Sequence, residues 1–321
     1  MKAKIILISL IFLFYFFYFW WYSYFYFPKS KNPNVFYILS DKKEKLNFFD
    51  VEILKIQSEN GTVFLFLPKN SNLNLQPVIL VFHGFGWCKK NQVLPQKEIS
   101  YLAKKGYIVI LPCYQEGFSS LFFRKNLLSR AEKLSLEGIS KLKEIAPEND
   151  FSKFSILGVS LGGAVATNFF SFSLPKPKVL ILIAPAPGFP LIPSKLYGIP
   201  FARAKELPEN IILIGILAEK DRISSFNQVK KIFLEAKSKE KYLFLIPSDN
   251  YGTPPLVSNH SIIFGNLGPI NYFGTYQIIE KGLNCAFENK DCEFLRGEKT
   301  FSLGKWSDGT EARKVIKIDL K

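Results

Sequence analysis

Histidine is scarce in this chain: only His83 and His260 occur in 321 residues. No Cys-x-x-Cys pair exists, and the four cysteines stand far apart at 88, 113, 285 and 292. Structural zinc needs about four closely spaced Cys or His ligands, so no metal is expected, and nothing in the chain points to a cofactor. Acidic residues are in the minority. The 27 Asp and Glu face 42 Lys and Arg, for a formal net charge of +15. The lysines are scattered, and no helix-turn-helix, zinc-finger or RNA-binding signature accompanies them, so nucleic acid is not an expected partner. The charge is compatible with a weak attraction to anionic lipid headgroups. Internal repeats are absent. Hydrophobic content of 48% with 21% charged residues argues against extensive disorder, and 321 residues could hold one large α/β domain or two ordinary ones.

One long apolar stretch is present. Residues 5–27 are almost entirely apolar or aromatic, long enough as a helix to span the ~30 Å hydrocarbon core of a bilayer. The stretch ends in Trp20-Trp21-Tyr22-Ser23-Tyr24-Phe25-Tyr26-Phe27. A cleavable signal would end in small residues, whereas Trp and Tyr favour the headgroup level. Residues 1–28 are therefore expected to form one uncleaved transmembrane helix holding the protein at the cell membrane. Lys2 and Lys4 favour a cytoplasmic N-terminus, while Lys29, Lys31, Lys42, Lys43 and Lys45 pull the other way. The cysteines favour an extracytoplasmic domain. Cys285 and Cys292 flank a polar stretch that a disulfide could close, and Cys88 and Cys113 follow two predicted strands at one sheet edge. Four reduced, buried thiols are the alternative.

Residues 29–46, with Pro33, read as a linker. An α/β domain is expected over 47–283, with an extension over 284–321 packed on it. Strands are predicted at 48–56 and 62–67 around the Glu59-Asn60-Gly61 turn. A continuous apolar run at 77–82 suits a parallel strand buried on both faces. The chain then alternates: helix 96–105, strand 107–111, helix 127–145, strand 154–159, a helix from 161, strands 179–183 and 211–217, helix 225–236, strand 242–246. A helix over 269–282 and a short strand at 315–318 follow. Such alternation implies a mostly parallel sheet with helices on both faces. The Pro- and Gly-rich segment 185–210 is at most a small lid.

Between strand 154–159 and the next helix stands Gly158-Val159-Ser160-Leu161-Gly162. A strand-to-helix turn this sharp strains the serine backbone, and glycines two residues to either side avoid a clash and expose the hydroxyl. An activated serine needs a base, a carboxylate that orients the base, and donors for the oxyanion. His260, after the last predicted strand of the alternating series, is the candidate base. His83 precedes Gly84 at a strand end and reads as a loop-shaping residue. Asp221 is the first choice of carboxylate, Glu219 the second and Asp249 the third. The backbone N–H groups of Phe85 (or Gly84) and Leu161 are the candidate oxyanion donors.

Over roughly residues 48–282 the chain resembles the serine-type α/β-hydrolases. The resemblance rests on the His83-Gly84 loop, the 158–162 elbow and the order Ser160, Asp221, His260. In that family the serine follows the fifth strand, the acid the seventh and the histidine the eighth, as the predicted strands do here. The resemblance implies the α/β-hydrolase fold and a serine hydrolase of carboxylic esters, acting on a small-molecule or lipid-like ester without a cofactor. A serine nucleophile departs from the aspartate of haloalkane dehalogenases and epoxide hydrolases and from the cysteine of dienelactone hydrolases. Residues 252–256 and 306–310 are similar to stretches in bacterial exported esterase-like hydrolases. Amidase, peptidase, acyltransferase and lipase chemistry would share the triad. A silent binding protein of this fold would commonly have lost a triad member.

Overall fold

The computed structural model describes residues 49–89, 92–93, 96–115, 124–188, 199–202, 204–252, 254–262, 268–297 and 300–320. The expected membrane helix and linker lie outside these residues, as do 189–198 and 203 of the expected lid. Among the described residues no helix is long and apolar enough to cross a membrane.

Among the described residues nine strands form one sheet: β1 (Val51–Ser58), β2 (Gly61–Pro68), β3 (Val78–Phe82), β4 (Ile108–Cys113), β5 (Phe154–Val159), β6 (Val179–Ile183), β7 (Ile212–Ala218), β8 (Glu240–Ile246) and β9 (Ile316–Ile318). Their spatial order is β1-β2-β4-β3-β5-β6-β7-β8-β9. The six strands from β4 to β8 run parallel, while β1, β2 and β9 pair antiparallel at the two ends. In the β1–β2 hairpin Ser58 opposes Gly61, which leaves Glu59 and Asn60 as a two-residue loop. A short ribbon, Cys88–Lys89 with Gln92–Val93, stands apart from the sheet.

Continuous apolar strands arise because helices cover both faces of the sheet. All residues of β3, β5, β6 and β7 are buried, and alternate side chains enter opposite layers. Ile79 and Val81 of β3 pack in the layer with α1 (Gln96–Lys104) and α5 (Gln277–Glu288). Val78, Leu80 and Phe82 pack in the other, with α2 (Arg124–Ile145), α3 (Leu161–Thr167) and α4 (Phe226–Glu235). Each such side chain removed from water contributes roughly 1.5–3 kcal/mol before entropy is counted. Ser225 caps α4 by accepting the Gln228 N–H.

Two features differ from the sequence expectation. Helix α5 is entered through a π-helical turn, Ile270–Tyr276, and continues to Glu288, so it runs through the expected boundary at 283/284. The stretch between Cys285 and Cys292 is therefore the last turn of α5 and a tight connection to α6 (Cys292–Arg296) rather than a free polar loop. Left-handed Asn289 and Asp291 make that reversal, and Asp291 is held by Lys281 and Asn284. The 284–321 segment packs on the rest of the chain: β9 pairs with β8, and Leu303, Trp306 and Val315 join the α1/α5 layer.

Candidate active site

Both disulfides foreshadowed by the cysteine positions are present, Cys88–Cys113 and Cys285–Cys292. The first matters for the site because Cys88 closes the loop that follows β3. That loop is tied to the end of β4 in two further places. The Tyr114 hydroxyl donates to the His83 carbonyl at 2.5 Å, and the Gly86 N–H donates to Gln115 Oε1 at 3.4 Å. His83 itself is fully buried and stacks on Tyr114, with ring centroids 4.2 Å apart. Its Nδ1–H donates to the Gly84 carbonyl at 2.7 Å. Burial lowers its pKa from 6.5 to about 4, against the opposing pull of the Gly84 bond. His83 is thus a neutral, loop-shaping group.

Ser160 sits between β5 and α3 with φ 52° and ψ −119°, a conformation that non-glycine residues rarely adopt. Its own backbone groups hold it there. The Ser160 N–H donates to the Ile183 carbonyl at 3.0 Å, and its carbonyl accepts the Ala186 N–H at 2.9 Å. Ile183 ends β6 and Ala186 lies in the turn that follows it, where Ala184 also has a positive φ of 43°. The two glycines of the elbow are required by contact. A Cβ on Gly158 would stand 2.5 Å from the Gly162 carbonyl oxygen, and one on Gly162 would stand 2.0 Å from that of Phe82. The second contact also places the start of α3, with Leu161, directly against the root of the Phe85 loop. As the first residue of its helix, Leu161 has an N–H with no carbonyl four residues back within the helix to accept it.

The three residues picked from the sequence as nucleophile, base and acid come together. The Ser160 hydroxyl donates to His260 Nε2 at 2.8 Å, and His260 Nδ1–H donates to Asp221 Oδ2 at 2.8 Å. The Asp221 side chain is almost fully buried and that of His260 is about one-sixth exposed. Asp221 Oδ1 accepts the N–H groups of Ile223 at 2.7 Å and Ser224 at 2.9 Å, so its orientation is fixed from both oxygens. This arrangement holds the imidazole in the tautomer that presents a bare Nε2 to the hydroxyl.

The other two candidate carboxylates are used elsewhere. Glu219 accepts the Ser248 N–H at 2.8 Å and pairs with Arg313 at 3.0 Å. Asp249 bonds the Tyr251 N–H, the Arg313 N–H and the Trp306 indole N–H. Burial alone would raise the Asp249 pKa, but these donors together hold it below the ordinary value. Sequence reasoning passed over Ser224. Its buried hydroxyl donates to the Pro185 carbonyl at 2.7 Å, linking the Asp221 loop to the turn that braces Ser160. No local signal marks that role. Among the described residues no group of three or more His, Cys, Asp or Glu could hold a metal ion.

No protein-family model matches the chain, and no curated protein sequence is significantly similar to it. Solved structures are similar in shape. An α/β hydrolase from a Medee basin deep-sea metagenome library superposes with a TM-score of 0.53 at 19% identity, over 75% of this chain and 100% of that one. Esterase B from Lactobacillus rhamnosis gives 0.57 at 18% identity, over 76% and 89%. The acylaminoacyl peptidase of Pyrococcus horikoshii gives 0.53 at 18% identity, over 74% of this chain but only 42% of that larger one. Strand order, elbow and these likenesses agree: the chain has the α/β-hydrolase fold.

Proposed function

We propose that this protein is a serine hydrolase that cleaves carboxylic esters through an acyl-enzyme on Ser160. The observation that carries the reading is the unbroken hydrogen-bond chain from the Ser160 hydroxyl through His260 to Asp221, with both links at 2.8 Å. His260 Nε2 takes the hydroxyl proton as Ser160 Oγ attacks the ester carbonyl, and Asp221 stabilises the imidazolium that forms. The N–H groups of Phe85 and Leu161 receive the negative charge on the former carbonyl oxygen. One such donor is typically worth ~10²–10³ in turnover. The alcohol leaves with the proton held on His260. A water molecule, deprotonated by the same nitrogen, then attacks the acyl-enzyme and releases the acid.

In this reading residues 5–27 hold the domain at the cell membrane on its outer side, within reach of small-molecule or lipid-like esters. The two disulfides support an oxidising compartment. Protease treatment of intact cells tests the topology: a domain protected until the cells are lysed would reverse the assignment.

Ser160→Ala is expected to abolish hydrolysis of short p-nitrophenyl esters and labelling by a fluorophosphonate, with the thermal midpoint unchanged. Undiminished turnover in that variant refutes the reading. Amide cleavage is the second reading, favoured by the likeness to an acylaminoacyl peptidase. Rates on an ester and an anilide of the same acyl group separate the two.

A further inference from the structure

The C-terminal segment reaches the roots of both loops that carry the triad partners of Ser160. Glu219 lies just beyond β7, two residues before Asp221, while Ser248 and Asp249 follow β8 at the start of the loop that leads to His260. Arg313 joins the two. Its Nη1 donates to Glu219 Oε1 at 3.0 Å and to the Ser248 carbonyl at 2.9 Å, and its backbone N–H donates to Asp249 Oδ2 at 2.8 Å. Trp306 adds its indole N–H to the same Asp249 oxygen at 3.2 Å. The ring lies tight against the base-bearing loop, since a Cβ on Gly252 would stand 2.1 Å from it. Nearer the site, the backbone bond from Lys220 N–H to the Ser258 carbonyl at 2.9 Å ties the same two loops together.

We propose that the segment 301–315 is a clamp that sets the separation of Asp221 and His260, with Arg313 as its positioning residue. The inference rests on the triad being the catalytic one. Arg313 touches none of the three and acts through the loops that bear them. A displacement of about 1 Å at a reacting group can cost roughly 10²-fold in rate, so a tie between loop roots has leverage. The ion pair itself is a poor source of stability, because the Arg313 side chain is half exposed and that of Glu219 nearly one-third exposed. Positioning and folding can therefore be measured apart.

The test uses the full-length chain. Arg313→Ala is expected to lower kcat on a p-nitrophenyl ester about ten-fold with KM within about two-fold, while the thermal midpoint moves little. Arg313→Lys recovers part of the loss, since an ammonium can pair with Glu219 but sits one atom short of the Nη1 that reaches both Glu219 and the Ser248 carbonyl. Glu219→Gln reproduces the loss, and combining it with Arg313→Ala adds nothing, as expected for two partners in one link. Arg296→Ala, which breaks the ion pair of α6 with Glu240 at 2.7 Å, leaves kcat unchanged.

A second readout is independent of turnover. With only two histidines in the chain, the Nδ1 proton that His260 shares with Asp221 can be followed by proton NMR, and in Arg313→Ala its resonance shifts or broadens. Unchanged kcat and an unchanged resonance in Arg313→Ala overturn the clamp, as does an equal loss in Arg296→Ala. A wild-type protein without hydrolytic activity, whose His260 resonance still responds to Arg313→Ala, would instead overturn the esterase reading and leave the clamp standing.

Discussion

His83 makes stability depend on pH in a way that can be worked from its surroundings. Its Nδ1–H is committed to the Gly84 carbonyl, and its buried Nε2 meets no hydrogen-bond partner among the described residues. A second proton would place a charge there without an acceptor, which is why the pKa falls to about 4. The unfolded chain accepts that proton near the ordinary value of 6.5. Between the two values the unfolded state binds more protons, so stability is full above about pH 6.5 and declines as pH falls toward 4. At ~1.36 kcal/mol per tenfold change in proton affinity, the loss between pH 7 and pH 5 is about 2 kcal/mol. Urea unfolding at a series of pH values measures it directly, read as the midpoint at constant m. His83→Asn keeps an N–H near the Gly84 carbonyl but cannot titrate. It should be less stable at pH 7 by roughly 1–3 kcal/mol, through the lost stacking on Tyr114, yet nearly flat across the same interval. Carboxylates with lowered pKa, such as Asp249, retain their contribution above about pH 4 and lose it only as pH falls further. A His83→Asn variant that still loses about 2 kcal/mol from pH 7 to pH 5 would refute the reasoning.

Three other outcomes are expected. Asp221→Asn can still accept the Ile223 and Ser224 N–H groups but no longer enforces the imidazole tautomer. Its kcat should fall by roughly 10³–10⁴ with little change in folding, measured by steady-state kinetics and circular dichroism. Gly162→Ala forces a carbon to 2.0 Å from the Phe82 carbonyl oxygen. A loss of about 3 kcal/mol or more in urea unfolding is expected, and a variant of normal stability would contradict the elbow contact. Replacing the Cys88–Cys113 pair by serines, with 25 residues of separation, should cost about 3.5 kcal/mol against about 2.4 kcal/mol for the Cys285–Cys292 pair, with a separation of 7. The reverse order in denaturation midpoints would show that loop closure does not control the difference.

The parallel strands were legible because burial on both faces leaves an unbroken apolar run, as in Val78–Phe82 and Val179–Ile183. The elbow was legible because two glycines and a serine at fixed spacing answer a steric demand. The choice among Asp221, Glu219 and Asp249 was not closed by sequence, since all three follow strands at the same end of the sheet. Distant donors decide it. Arg313 and Trp306 occupy Glu219 and Asp249, and Asp221 is left facing the imidazole. The sequence ends α5 at 282 because residues 286–291 look like a polar loop between two cysteines, whereas Ala286, Phe287 and Glu288 still belong to the helix. The π-helical turn before it was also hidden. There Gly274 lies close under Ile246, where a Cβ would come 3.0 Å from its side chain, a tertiary contact that periodicity does not carry.

The order in which the thiols meet has a consequence for biogenesis. Four cysteines can be joined in three ways, and here each bonds its neighbour along the chain, first with second and third with fourth. A polypeptide oxidised progressively from its N-terminus would seal the first bridge before the later thiols had been synthesised. Maturation of this protein should therefore not depend on a disulfide isomerase to correct mispaired cysteines.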